Sequence, residues 1–271
     1  MKLINRQNED LTPRFEQLAL FYFEQAKCFE RLKMASVNNP LLFYQYAAQQ
    51  FYHQALEFQY KAILTNGMNR NPTTIVANEN KHTFSTTITR TLLNSLREGG
   101  YILYVRHGEA LVGEDQPNLN FQHCSTQRNL SEVGRRQAVT YGEVLRSLRI
   151  PVSYPVLTSP FCRTRETAEL AFGKEIVQVD PFWVEIYRLS GDLNPTEQTI
   201  IFNSLNSVLE IPPPLGNNKV IIAHSFPQGV GFGHIPNMGT VIVKPRGQGN
   251  GYEVVGRVSL SKLTNLLDSH P

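Results

Sequence analysis

Apolar and polar positions follow two different periods along this chain, and the change falls near residue 100. Before it, apolar side chains recur at helical spacing. Leu11, Phe15, Leu18, Tyr22, Ala26 and Phe29 form one stripe behind the start signal Thr12-Pro13, which predicts a helix to about Lys33. Asn39-Pro40 opens a second stripe through Tyr44, Ala47, Phe51, Ala55, Phe58 and Ala62, and Asn66-Gly67 closes it. The two stripes predict an antiparallel hairpin. Residues 66–83, rich in Asn and Thr, read as a loop. A third helix is predicted from Ser85 to Arg97, with Ile88, Leu92, Leu93 and Leu96 on one side. Residues 1–98 therefore read as a helical domain ending at Glu98-Gly99-Gly100. Its aromatic stripe is read as core, with contact to a protein partner or a second copy as the alternative.

From Gly100 onward short apolar runs alternate with helical patterns. Strands are predicted at Tyr101–Val105, Pro155–Ser159, Ile176–Val179, Lys219–Ala223, Thr240–Lys244 and Tyr252–Val258. Helices are predicted at Leu130–Leu148, with Ser131 as N-cap, at Arg163–Phe172, at Thr196–Leu209 and at Ser259–Leu267. Interleaving of this kind predicts an α/β domain over residues 99–271, its sheet largely parallel and covered on both faces.

Composition narrows the class. Of 271 residues, 41% are hydrophobic and 18% charged, the balance of a soluble globular protein. A net charge of +3 is too mild to indicate a nucleic-acid partner. The segment from Met1 to Glu16 lacks the apolar core of a signal peptide, and no run approaches the ~20 apolar residues of a membrane span, so a cytoplasmic location is expected. Cys28, Cys124 and Cys162 are odd in number and widely spaced, which predicts neither a disulfide framework nor a zinc site.

Candidate chemistry collects at three strand ends. Tyr101–Val105 runs into Arg106-His107-Gly108-Glu109. Val156-Leu157-Thr158-Ser159-Pro160 leads to Arg163, and Val220–Ala223 leads to His224-Ser225. Loops at the carboxyl ends of parallel strands are where open α/β sheets bind ligands. An imidazole there can attack phosphorus, guanidiniums can neutralise phosphoryl oxygens, and a glycine lets backbone approach closely.

These residues carry a resemblance. Arg106-His107-Gly108-Glu109, then Ser159-Pro160 with Arg163 and Thr167-Ala168, then His224 after an apolar strand, resemble the histidine phosphatase (phosphoglycerate mutase-like) superfamily. Leu130-Ser131-Glu132-Val133-Gly134-Arg135-Arg136-Gln137-Ala138 is similar to that family's Leu-Ser/Thr-x-x-Gly-x-x-Gln-Ala helix. The resemblance covers roughly residues 100–271. It implies a three-layer α/β/α sandwich and phosphomonoester hydrolysis through a phosphohistidine, with no metal or other cofactor. It implies that His107 is the nucleophile, that Arg106 and Arg163 bind the phosphoryl oxygens, and that His224, expected protonated, completes the pocket. A carboxylate some twenty-odd residues past the second arginine is implied as proton donor, which selects Glu185, with Glu109 as fallback. Glu109, Arg128 and Ser225 are added as substrate contacts. The implied partner is a small phosphorylated substrate, with no nucleic acid and no membrane. Leu111-Val112-Gly113 stands where mutase members carry Asn, and their large substrate-closing insertion has no counterpart, which favours hydrolysis over phosphoryl return.

The helical domain resembles HEPN-type domains over one helix, Tyr46–Phe51 through Lys61–Leu64. The Arg-x4–6-His motif of their ribonuclease members is missing, so no ribonuclease activity is carried over. A cysteine-phosphatase reading of His123-Cys124-Ser125-Thr126-Gln127-Arg128 fails, because only three residues separate Cys124 from Arg128 and no strand precedes them. A zinc hydrolase fails as well, since His53, His82, His123, His234 and His270 lack ligand spacing. The remaining competitor is a regulatory or binding protein built on a phosphatase fold.

Overall fold

The most apolar stretch of the chain forms a strand near the middle of the sheet, because only a position buried on both faces accommodates it. The computed structural model describes residues 12–38, 50, 54, 57, 58, 61 and 90–268. The chain divides into two compact units, one of Met1–Thr73 with Asn194–Ser204, the other of Thr74–Leu193 with Leu205–Pro271.

In the first unit, helix α1 spans Thr12–Ala35 and buries Ala19, Tyr22 and Ala26. Lys33 donates to Gln50 at 2.7 Å, and Lys61 lies 5.8 Å from the Phe23 ring centre. Residue numbers rise on one side as they fall on the other, as an antiparallel hairpin requires. Most of the second predicted helix, the loop at 66–83 and the start of the third helix lie outside the described residues.

In the second unit the elements are α2 (Arg90–Glu98), β1 (Ile102–Arg106), α3 (Glu132–Ser147), β2 (Val156–Thr158), α4 (Cys162–Phe172), β3 (Val177–Val179), α5 (Val184–Arg188), α6 (Pro195–Leu209, whose first turns belong to the first unit), β4 (Lys219–Ala223), β5 (Thr240–Pro245), β6 (Tyr252–Val258) and α7 (Leu260–Asp268). The six strands lie in the order β3-β2-β4-β1-β5-β6. The first four run parallel, and β5 and β6 add an antiparallel hairpin beside β1. The α/β class and the interleaved order are as expected, and the sheet is mixed.

Alternation along β1 and β4 sends Leu103, Val105, Val220 and Ile222 into one core with side chains of α2, α3, α4 and α7. On the other face Tyr104 packs edge-on against Trp183 and Phe232. Among the described residues no helix is long and apolar enough to cross a membrane.

The domain boundary differs from the expected one. Leu93 and Leu96 of α2 belong to the core of the sheet unit, which begins at Thr74 and not at Gly99. Buried Asn218 donates to the Leu96 carbonyl at 2.7 Å, and Arg97 donates to the Leu148 carbonyl at 2.9 Å. Gly99 and Gly100, read as punctuation between domains, form a left-handed turn inside one (φ +86° and +94°). A Cβ on Gly99 would lie 2.6 Å from the Gly216 carbonyl carbon, so the turn is also a close contact.

A second close contact sets the register of α3 against the β1 loop. A Cβ on Gly108 would lie 2.6 Å from the Gly134 carbonyl oxygen, and one on Gly134 would collide with the Glu109 carbonyl oxygen. Gly134→Ala is therefore expected to destabilise the sheet unit by ~1–3 kcal/mol, the usual range for overpacking. Gly191→Ala, whose Cβ would meet its nearest atom at 3.4 Å, serves as the control. Denaturant midpoints read both, and a Gly134 variant as stable as the control would contradict the contact.

Candidate active site

Hydrogen bonding of neighbouring strands brings the three predicted strand ends to one edge. Arg106 pairs with Ala223 across β1 and β4, and the His107 N–H donates to the Ala223 carbonyl at 3.1 Å. Thr158 pairs with Ile222 across β2 and β4, and the Ser159 N–H donates to the Ile222 carbonyl at 3.1 Å. His107, His224 and Ser159 thus follow three adjacent strands. The rings of His107 and His224 sit 5.7 Å apart, and His224 Nε2 lies 2.9 Å from Ser159 Oγ.

Nδ1 of His107 is 2.6 Å from the Gly108 carbonyl oxygen. A carbonyl only accepts, so Nδ1 carries the proton and Nε2 presents its lone pair. Burial first, then the positive charges of Arg163 and Arg106, hold this imidazole well below its ordinary pKa. Burial, the His107 ring and Arg163 do the same to His224. Both shifts favour the neutral imidazole; for His224 this runs against the expectation of a protonated ring, with burial the first cause, ahead of the His107 ring and the cations.

Arg163, in the first turn of α4, is 1% exposed. Its guanidinium lies 4.2 Å from the Phe161 ring centre and 5.6 Å from that of Tyr187. Asp115 grips it with both oxygens, at 2.8 Å to Nη1 and 3.1 Å to Nη2. Burial pushes the Asp115 carboxyl up, but the Arg163 hydrogen bond and the Arg128 backbone N–H outweigh it and leave the pKa below its usual range. Arg106 donates Nη1 to the Ile235 carbonyl at 2.7 Å. Arg128 donates Nη1 to the Gly113 carbonyl at 3.3 Å, and its charge acts on Arg106, His107, Arg163 and His224. Among the described residues the buried Nε atoms of Arg106, Arg128 and Arg163 have no hydrogen-bond acceptor. Unmatched buried donors of one charge make a seat for an anion.

Most of the motif residues are accounted for by contacts around this seat. Ser131 caps α3 by accepting from the Gly134 N–H at 3.0 Å, and donates its hydroxyl to Glu109 at 2.7 Å. Gln137 accepts from the Glu109 N–H at 2.9 Å. Thr167 accepts from the Gly108 N–H at 3.1 Å and donates to the Arg163 carbonyl at 2.7 Å, tying the loop after β1 to α4. Ser225, expected to touch substrate, accepts from the Ile235 N–H at 2.8 Å and donates to the Phe226 carbonyl. It therefore supports the segment whose carbonyl holds Arg106.

The two candidate acids have partners of their own. Glu185 on α5 is 2% exposed and pairs with Arg188 at 3.1 Å. Tyr187, two residues on and so on another side of that helix, donates its hydroxyl to Asp115 at 3.0 Å and stacks 5.4 Å from His224. Asp115 and Tyr187 were missed in the sequence, where nothing but the exposed, aperiodic loop around Asp115 marks it.

The cysteines also depart from expectation. Cys124 and Cys162 form a disulfide, their Cα atoms 5.7 Å apart and 38 residues apart in sequence. Cys162 opens α4 one residue before Arg163, and Cys124 lies in the loop that carries Asp115 and Arg128. Closing a loop of this size constrains the unfolded chain by roughly 3–5 kcal/mol on a chain-entropy model.

With His107 held below 6.5, the acid limb of kcat/KM for the free enzyme is expected below that pH, since protonation removes the lone pair. Arg128→Gln removes a repelling charge, so the limb should move up. A limb at or above 6.5 in the unmodified chain, or a downward move in the variant, would contradict this electrostatic picture.

Residues 102–188 match the model of the histidine phosphatase superfamily, branch 1. No curated protein matches the chain. Among solved structures, the chain is similar to the protein histidine phosphatase SixA complexed with tungstate, at 14% identity over 60% of this chain and 99% of that one, with a TM-score of 0.38. It is similar to a mycobacterial glucosyl-3-phosphoglycerate phosphatase with inorganic phosphate, at 16% identity over 60% and 99%, with a TM-score of 0.40. A phosphoserine phosphatase from Entamoeba histolytica in complex with phosphoserine gives 15% identity over 60% and 98%, with a TM-score of 0.37. The matched span holds the ends of β1 and β2, the whole of α3 and the arginine helix α4; His224, at the end of β4, lies beyond it.

Proposed function

We propose that this chain is a phosphomonoester hydrolase that works without a metal through a phosphohistidine on His107. The observation that carries the reading is a buried imidazole, held toward its neutral form, in the field of three guanidiniums whose buried Nε groups have no acceptor among the described residues. Three guanidiniums, Arg106, Arg128 and Arg163, set against the Asp115 carboxylate leave a net charge that complements a phosphomonoester dianion.

In this reading Nε2 of His107 attacks phosphorus and the bond to the leaving oxygen breaks. Positioning and charge neutralisation supply most of the rate, as phosphoryl transfer requires. Arg106 and Arg163 take the non-bridging oxygens, and Arg128 adds field. The arriving dianion offsets the surrounding positive charge, so His224 can then take up a proton and donate to a phosphoryl oxygen. Glu185 is assigned as proton donor to the leaving group on its offset from Arg163, with Glu109 as the alternative. Water then cleaves the phosphohistidine, releasing inorganic phosphate and restoring the imidazole.

Hydrolysis of p-nitrophenyl phosphate, insensitive to EDTA, with an acid-labile phosphoenzyme trapped on His107, is the expected result. His107→Ala should abolish both while retaining phosphate binding, and Arg163→Ala should lower kcat by about 10²–10³-fold, the scale of losing one preorganised donor. Glu185→Gln should steepen the dependence of rate on leaving-group pKa, and an unchanged dependence removes that assignment. Phosphate binding without any turnover would favour the regulatory-protein reading instead.

A further inference from the structure

The loop from Leu111 to Asn129 is mostly exposed and belongs to no helix or strand except one short turn at Cys124–Thr126. Such a loop is an unpromising place for a residue that must hold a fully buried guanidinium in one orientation. Yet Asp115 does so with four hydrogen bonds: two from Arg163, one from the Arg128 backbone N–H at 2.8 Å and one from the Tyr187 hydroxyl. Asp115 takes up the Nη end of Arg163 and leaves its Nε edge unpartnered. The loop is fastened to α4 beside Arg163 at two points. The Cys162 N–H donates to Gln127 at 2.8 Å, and Cys124 is bonded to Cys162.

Resting on the phosphatase reading, we propose that Asp115 is a positioning residue which turns the Arg163 guanidinium toward the phosphoryl group, and that the Cys124–Cys162 disulfide holds the loop presenting it, so that opening the disulfide loosens the site.

The disulfide is placed to be opened. Cys124 is exposed, while Cys162 is buried. Arg165 directs Nη2 at both sulfurs, 3.2 Å from Cys162 Sγ and 3.7 Å from Cys124 Sγ. A cation there stabilises the thiolate that leaves when a thiol attacks. A dithiol reductant supplies the two electrons and two protons: its thiolate attacks Cys124 Sγ, Cys162 leaves as thiolate, and the second thiol closes the reductant's own disulfide. Cys124 and Cys162 end as two thiols. In a cytoplasm, the location expected from the sequence, thiols are kept reduced, so the loop there would be untied.

The sign of one measurement decides between positioning and mere occupancy. Removing the Asp115 charge makes the pocket more positive. If Asp115 only competes for Arg163, Asp115→Asn binds phosphate more tightly. If Asp115 positions Arg163, binding weakens despite the added positive charge. Isothermal titration of inorganic phosphate, with p-nitrophenyl phosphate kinetics alongside, tests this on the full chain. Asp115→Asn should weaken phosphate binding by about tenfold or more, the scale on which orienting partners act, with circular dichroism unchanged. Reducing the unmodified chain with dithiothreitol should shift phosphate affinity the same way, and reoxidation should restore it. Arg165→Gln should slow that reduction.

Tighter phosphate binding in Asp115→Asn, or a reduced chain with the affinity of the oxidised one, overturns the proposal while leaving the phosphatase reading intact. An unmodified chain that binds phosphate with this dependence on Asp115 but never turns over substrate overturns the phosphatase reading alone.

Discussion

Burial of like charge at the carboxyl edge of the sheet is the constraint on which the rest of the molecule depends. A charge taken out of water is expensive unless it is paired and fully hydrogen-bonded. Arg163 meets that demand in part, through Asp115 and two aromatic rings. Arg106 and Arg128 find backbone carbonyls, and among the described residues the Nε groups of all three have no acceptor. Each unmatched buried donor costs about 1–3 kcal/mol. In the proposed reading an anion entering the seat would recover that free energy, so the cost of burying these donors and the affinity for phosphate would have one source. Burial, and after it the same crowding of charge, disfavours the protonated forms of His107 and His224. An imidazole with a free lone pair, as the proposed mechanism needs, is thus produced by surroundings that would be a liability anywhere else in the fold.

The scaffold is stiff where that liability sits. β1 and β4 are buried along their length, and their last residues are hydrogen-bonded neighbours. Arg106, His107 and His224 therefore inherit their spacing from a sheet ladder. Arg163 takes its position from the first turn of α4, which Thr167 ties back to Gly108. The segments that begin after these anchors, 111–129 and 225–239, carry Asp115, which accepts from Arg163, and Ile235, whose carbonyl accepts from Arg106.

Much of this was legible in the sequence because it is local. The strands of the second unit, the Ser131 cap and the helix after Arg163 follow from short-range periodicity and end signals, and their bounds shift by a residue or so. The shared edge followed from strand ends, since parallel strands deliver their carboxyl ends together. What escaped reading is non-local. Asp115 and Arg163 are 48 residues apart and Cys124 and Cys162 are 38 apart, with no periodic pattern linking either pair. The downward shift of His224 depends on burial, on the His107 ring and then on guanidiniums from three separate segments. The placement of α2 was misjudged because a Gly-Gly turn inside a domain and one between domains look the same until Asn217 is seen packed against it.

The paired glycines at 108 and 134 carry a consequence for how this architecture can change. Their backbones touch, so the N-terminus of α3 serves as a gauge block behind the loop that follows His107: a side chain inserted there forces that backbone to shift. The fit of one glycine against the other thereby limits how far the backbone after His107 can move, whatever the exposed segments beyond it carry.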